Sequence, residues 1–220
     1  MRGIFITGTD TDVGKTYVAT LLAEQLVKNG IRVIPRKPVE SGCQNNNGEL
    51  IPEDASALKQ AAAYAGDLSD ICRFRFEAAL SPVRAARMEN QTVTIAQLQQ
   101  ACKHCGNGFL LVEGAGGFYS PLASDGLNAD LAVAIQLPVL LVANDRLGCI
   151  NQILLTAEAI SNRGLKLAAV ILNAKDQPSN LDMNNAKDLH DLIDTPIYTL
   201  AHTQNNEVPI KDLARYLQSQ

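Results

Sequence analysis

Residues 8–16 read GTDTDVGKT. A lysine and a threonine follow a glycine there at a spacing that handles phosphate. In a phosphate-binding loop, backbone N–H groups and the start of the next helix cradle the anion. The lysine neutralises β- and γ-phosphate oxygens, and the neighbouring hydroxyl holds a divalent cation. Lys15 and Thr16 are the residues for those tasks. The usual pattern, G-x-x-x-x-G-K-[ST], asks for glycine where this chain has Thr9; the glycine stands one place earlier, at Gly8. A strand-like run precedes the loop and a helix-period segment follows it, so the displaced glycine reads as a change in loop shape.

Other polar residues gather at strand-like ends. Glu113 closes an apolar run, where nucleotide enzymes place a metal-binding carboxylate. It is followed by Gly114-Ala115-Gly116-Gly117, which lets a ligand approach the backbone closely. Lys37 and Ser41 belong to a run Lys37-Pro38-Val39-Glu40-Ser41. From pattern alone Lys37 is open between a site residue and a strand-end surface charge that packs little. Asp54, just before a helical segment, reads first as an N-cap. His104, His190 and His202 are isolated, with no Cys or Ser partner in a catalytic arrangement.

The elements that must position these residues are legible as alternating apolar runs. Strand-like stretches span 3–8, 31–39, 109–114, 138–144, 166–173 and 196–200. Four are nearly continuous in hydrophobes, as expected of strands covered on both faces. Val18, Leu21, Leu22 and Leu26 share one face of a helix over 15–28 that stops near Asn29-Gly30. Ile150, Ile153, Leu154, Ala157 and Ile160 do the same for a second helix. This pattern predicts a single α/β domain over 1–220: a mostly parallel sheet with helices on both faces, of the P-loop type. A helical insertion at about 40–108 interrupts it. It holds a polar, mobile loop over 41–52 and short helices at about 53–63, 80–88 and 94–104. The tail, VPIKDLARYLQSQ, reads as an amphipathic helix packed on the sheet. Ligands of an open parallel sheet bind at the carboxyl ends of its strands, the edge that carries all the polar runs above together with Asn144-Asp145-Arg146 and Asn173.

Composition narrows the classes. The 220 residues are 46% hydrophobic and 19% charged, with a net charge of −4, ordinary for a globular protein. No basic cluster argues for nucleic acid, and no apolar run argues for a membrane. Five cysteines without disulfide-like spacing fit a reducing, cytoplasmic compartment. The one CxxC, Cys102–Cys105, has no second pair to complete a zinc site and reads as reduced thiols at a helix end.

GTDTDVGKT, KPVESG (37–42), EGAGGFYSPL (113–122) and LGCIN (147–151), in this order and spacing, resemble the dethiobiotin synthetase family. The resemblance runs over essentially the whole chain, more loosely in the C-terminal third. It implies ATP and Mg²⁺ as cofactors, and 7,8-diaminopelargonic acid and CO₂ as substrates. The implied working form is a homodimer with active sites at the interface. Residue by residue, it implies catalytic roles for Lys15, Lys37 and Thr11, with metal held by Thr16, Asp54 and Glu113. Nucleotide contacts are implied for Asp12, Val13, Gly14, Lys15, Thr16, Tyr17 and Asn173. Ser41 and Lys37 are implied at the substrate, and Gly148, Cys149, Ile150 and Asn151 at its carboxylate in the neighbouring subunit. Two residues depart from the family pattern. Asp12 stands where many members have Glu, and Val83 where many have His. Partition and cell-division ATPases share this fold and form the rival reading, a nucleotide-dependent switch. They carry a signature lysine at the place of Asp10, which counts against that reading, as does Lys37-Pro38-Val39-Glu40-Ser41, which a switch leaves unexplained.

Overall fold

The computed structural model describes residues 2–175, 182–201 and 206–219; His202 falls outside them. The chain opens with β1 (Gly3–Gly8), α1 (Lys15–Lys28) and β2 (Val33–Arg36). The insertion follows: β3 (Val39–Ser41), β4 (Gln44–Asn46), β5 (Glu49–Ile51), α2 (Glu53–Ala61), α3 (Leu68–Ile71), β6 (Phe74–Phe76), α4 (Pro82–Met88) and α5 (Ile95–Cys102). The main fold resumes with β7 (Phe109–Gly117), then β8 (Pro121–Ala123), β9 (Gly126–Leu127) and α6 (Asn128–Ile135). It closes with β10 (Val139–Asn144), α7 (Cys149–Asn162), β11 (Leu167–Asn173), α8 (Asn185–His190), β12 (Ile197–Leu200) and α9 (Glu207–Ser219).

Six strands form one sheet in the order β12-β11-β10-β1-β7-β2, with every neighbouring pair parallel. Side chains alternate across it. Ile4 and Ile6 face a core shared with Val18 and Leu22 of α1, Leu58 of α2 and Leu213 of α9. Phe5, Leu110 and Val112 face the opposite core with Leu98 of α5 and Leu131 of α6. Leu141, Val170 and Leu172 meet Ile153 of α7 and Leu189 of α8. Each fully buried side chain of this size contributes about 1.5–3 kcal/mol of transfer free energy, so the sheet is held from both faces, as its continuous apolar strands require. The tail helix packs as expected, burying Ile210, Leu213, Ala214 and Leu217.

Two expectations in the insertion are corrected. The run 31–39 is not one strand. The Lys37 N–H donates to the Ile71 carbonyl at 2.9 Å, away from β7, and Pro38 has no N–H to give. The chain therefore leaves the main sheet, and Val39–Ser41 pairs with β6 instead. The polar loop over 41–52 is largely a β4–β5 hairpin. Asn47 and Gly48 turn it with φ of 55° and 93°, the positive values that a two-residue hairpin turn demands. Among the described residues no helix is long and apolar enough to cross a membrane.

Candidate active site

β1 delivers the loop at the carboxyl edge of the sheet, between β10 and β7. Gly8 is required there: a Cβ would sit 2.7 Å from both the Asp10 carbonyl and Val13 Cγ2, and 3.3 Å from Lys15 Nζ. The glycine displaced from position 9 thus makes room for the loop and its lysine to pass close over the strand end. Lys15 Nζ donates to the Asp10 carbonyl at 3.0 Å, folding the side chain across the loop. Gly14 has φ 94° and precedes the first turn of α1, where a Cβ would strike Asn173. Asn173 Nδ2 donates to the Val13 carbonyl at 2.9 Å. The end of β11 thereby braces the loop.

Lys37, Asp54, Thr16 and Glu113 converge from four elements. Lys37 Nζ lies 2.6 Å from Glu113 Oε1 and 2.8 Å from Asp54 Oδ2. Thr16 Oγ1 donates to the same Glu113 oxygen at 2.8 Å. Lys37 is only 3% exposed, so the reading of a strand-end lysine that packs little is overturned. The kink that takes the chain out of the sheet turns this side chain inward. Burial pulls the Lys37 ammonium toward its neutral form, but Glu113 and Asp54 together outweigh it and hold its pKa above the ordinary value. Asp54 is held below the usual carboxylate range: Lys37 and the Thr16 hydroxyl overcome the upward pull of burial. Burial, and then the nearby Lys37 charge, lower Lys15 from 10.5 to about 8.

The second oxygen of Glu113, Oε2, is buried without a partner. An orphaned carboxylate oxygen beside a threonine hydroxyl and a second carboxylate is an oxygen donor set that suits Mg²⁺. That ion is held by one or two carboxylates together with substrate phosphates. Thr16, Asp54 and Glu113 fit the ion on that ground. Among the described residues no three His, Cys, Asp or Glu side chains form a metal cluster.

These residues line a cleft of about 740 Å³ with Thr11, Asp12, Gly14, Ser41 and Lys175. Val13 is buried under the loop, and Tyr17 is half exposed on α1, its hydroxyl accepting from Asn206 Nδ2 at 3.1 Å. Ser81 and Pro82 reach the cleft wall, whereas Val83 is not among the lining residues. Gly148, Cys149, Ile150 and Asn151 are not there either. They begin α7, with Gly148 at φ 88° in the N-cap position. Cys149 is fully buried and its N–H donates to the Arg146 carbonyl, leaving its thiol no access to a ligand.

Three positioning residues were missed from sequence. Glu40 accepts the N–H groups of Asp54 and Ala55, both at 3.0 Å, fixing the start of α2 and with it Asp54. Its own pKa is raised, chiefly by burial. Asn128, fully buried, donates to Thr7 Oγ1 at 3.1 Å and to the Gly117 carbonyl at 3.4 Å. A Cβ on Gly114 would lie 2.6 Å from its Nδ2. Lys175 Nζ donates to the Asp12 carbonyl at 2.7 Å. Glu40 was visible inside its motif but carried no local sign of capping a helix fourteen residues on. The other two depend on contacts between distant segments.

A parallel sheet, a glycine-lysine-threonine loop at its central strand and converging cations and carboxylates define a P-loop nucleotide-dependent enzyme. The family profile described as an AAA domain matches residues 2–207. Solved structures share the fold. The cell division ATPase MinD of Pyrococcus furiosus aligns with TM-score 0.60 and 14% identity over 100% of this chain and 99% of its own. MinD of Aquifex aeolicus aligns at 0.60 and 16%, over 100% and 98%. The sequence relatives are of another kind. The ATP-dependent dethiobiotin synthetase BioD of Ruthia magnifica is 38% identical over 97% of this chain and 98% of its own length. That of Anaeromyxobacter sp. (strain Fw109-5) is 39% identical over 100% and 96%. The chain belongs to the dethiobiotin synthetase family, ATP-dependent ligases of biotin synthesis.

Proposed function

We propose that this protein joins CO₂ and 7,8-diaminopelargonic acid, with ATP, into the cyclic urea of dethiobiotin. ADP and phosphate are the other products. The convergence of Lys15, Lys37, Thr16, Asp54 and Glu113 in one cleft carries the reading, within a family whose named members are dethiobiotin synthetases. One amine adds to CO₂ and loses a proton, giving a carbamate. A carbamate oxygen attacks the γ-phosphorus and ADP departs, leaving a carbamic–phosphoric anhydride. The second amine attacks the carbonyl carbon, the ring closes, and phosphate leaves.

Two anions must meet in this sequence, so fixed cations supply the main stabilisation. Lys15 lies against the triphosphate, and Lys37 against the carbamate and the migrating phosphoryl group. Thr11, Asp12 and Ser41 line the path between them, while Val13, Gly14, Tyr17 and Asn173 seat the nucleotide. Thr16, Asp54 and Glu113 would hold Mg²⁺, which would supply charge neutralisation at the phosphates. Holding the second amine beside the carbonyl provides ring closure by proximity, so no covalent enzyme nucleophile is required.

The substrate's carboxylate lies at the far end of an alkyl chain and needs an anion site remote from the phosphates. The start of α7, at Gly148–Asn151, provides that site for the other subunit of a homodimer. Its place outside the cleft of its own chain supports this arrangement. Phosphate release by purified protein tests the function: it should require diamine and bicarbonate together. ATP turnover indifferent to both would point instead to a nucleotide switch.

A further inference from the structure

Arg36 precedes Lys37 in the chain but serves another space. The residue is 5% exposed. It donates from Nη1 to the Pro35 carbonyl at 2.8 Å and from Nη2 to the Lys103 carbonyl at 3.4 Å, and it stacks 5.8 Å from the Tyr64 ring centroid. Nε has no partner. Among the described residues, no ion pair includes Arg36. A buried charge without a counter-charge is costly, and here both hydrogen-bond partners are neutral carbonyls.

A second cavity, of about 650 Å³, opens beside it between α3, β6 and α5. Arg73 and Lys103 also line it; both are exposed and neither belongs to an ion pair among the described residues. Asp70 is the cavity's one carboxylate, and its Oδ2 accepts the Asp67 N–H at 3.1 Å and the Tyr64 hydroxyl at 3.4 Å. His104 follows Lys103, and its pKa is lowered by burial and then by the charges of Arg36 and Arg32, as a positive local field requires. In a chain with net charge −4, this is a concentrated excess of cation.

We propose that this cavity is a second binding site, separate from the nucleotide cleft, for a small phosphate-bearing molecule. Arg36 forms its buried floor, with Arg73 and Lys103 at the rim. A guanidinium matches phosphate oxygens through parallel N–H donors, and charge-assisted bonds of this kind are the strong ones. The volume suits a small metabolite. The segment Ile71–Phe74 links the second cavity to the backbone at Lys37 and Pro38. The Ile71 carbonyl accepts from Lys37 N–H, and the Phe74 N–H donates to the Pro38 carbonyl, while Arg73 and Phe74 line the second cavity.

The test is calorimetric titration with inorganic phosphate and, separately, glycerol 3-phosphate. The protein is first saturated with Mg²⁺ and a non-hydrolysable ATP analogue, so that the γ-phosphate position is filled. One saturable site per chain is expected, and the tighter of the two probes distinguishes free phosphate from a phosphate ester. Arg36→Met should weaken binding at least tenfold. Because removing a buried residue can disturb folding, the rim variant Arg73→Ala/Lys103→Ala is the decisive one, and it should show a loss of the same order. No saturable binding with the analogue present, or unchanged affinity in the rim variant, overturns the site.

Discussion

Lys37 Nζ lies 2.6 Å from Glu113 Oε1, and the two side chains are 4% and 0% exposed. The same ammonium reaches Asp54. It stands between the two carboxylates proposed to hold the metal and offsets their charge. Under the proposed function, a Mg²⁺ ion held by Glu113 and Asp54 would take over their charge and leave the Lys37 ammonium available to the reacting groups.

Lys37→Ala should therefore lose stability as well as activity. Leaving Glu113 buried without its partner costs about 3–5 kcal/mol, read by urea denaturation. Turnover should fall on the order of a hundredfold or more. Unchanged stability would show that the buried pair contributes nothing to the fold.

Glu113→Gln keeps the shape and removes the charge. The magnesium concentration for half-maximal phosphate release should rise and the maximal rate should fall, with the fold intact because Lys37 keeps Asp54. An unchanged magnesium titration would remove Glu113 from the metal site.

Lys15 gives a pH signature. Its ammonium, lowered to about 8 by burial and Lys37, regains a high pKa beside a triphosphate. The binding it contributes is fully present below about pH 8 and is lost as pH rises through the bound value. Nucleotide binding near pH 9 should thus take up a proton, as calorimetry in buffers of differing ionisation enthalpy would reveal. Zero uptake would contradict the shift.

Glu40→Ala should free the first turn of α2, costing about 1–2 kcal/mol, as for loss of a helix cap. It should raise the magnesium requirement through Asp54 alone. A variant with lowered stability but an unchanged magnesium titration would confine Glu40 to a structural role.

Gly114→Ala drives a methyl group into Asn128, which holds the strand above Thr7. Overpacking of this kind costs about 1–3 kcal/mol. Asn128→Ser should recover part of the loss, a coupling that a double-mutant cycle measures. Strictly additive effects would refute the contact.

The main sheet was legible because its strands are buried on both faces, and Ile4, Phe5 and Ile6 leave no ambiguity of type. The loop was legible because Lys15 and Thr16 sit between a strand and a helix, a context that is local. Burial of Lys37 was not legible. It follows from the Lys37 N–H choosing Ile71, a residue distant in sequence, over the neighbouring strand. The hairpin could have been found: Asn47-Gly48 is a strong turn signal, but its flanks are polar and exposed and lack the apolar alternation of a strand. Asn128 gave no signal at all, since a single Asn at the start of an apolar helix is ordinary until Gly114 is seen against it.

That hairpin has a use as a spacer. It leaves the cleft after Ser41 and returns the chain just before Asp54, so its two ends stay adjacent whatever happens at its tip. Residues added at Asn47-Gly48 would lengthen the arms outward and leave the carboxylate in register. Segment length here is uncoupled from catalytic geometry, which makes the turn a natural port for an inserted tag or reporter.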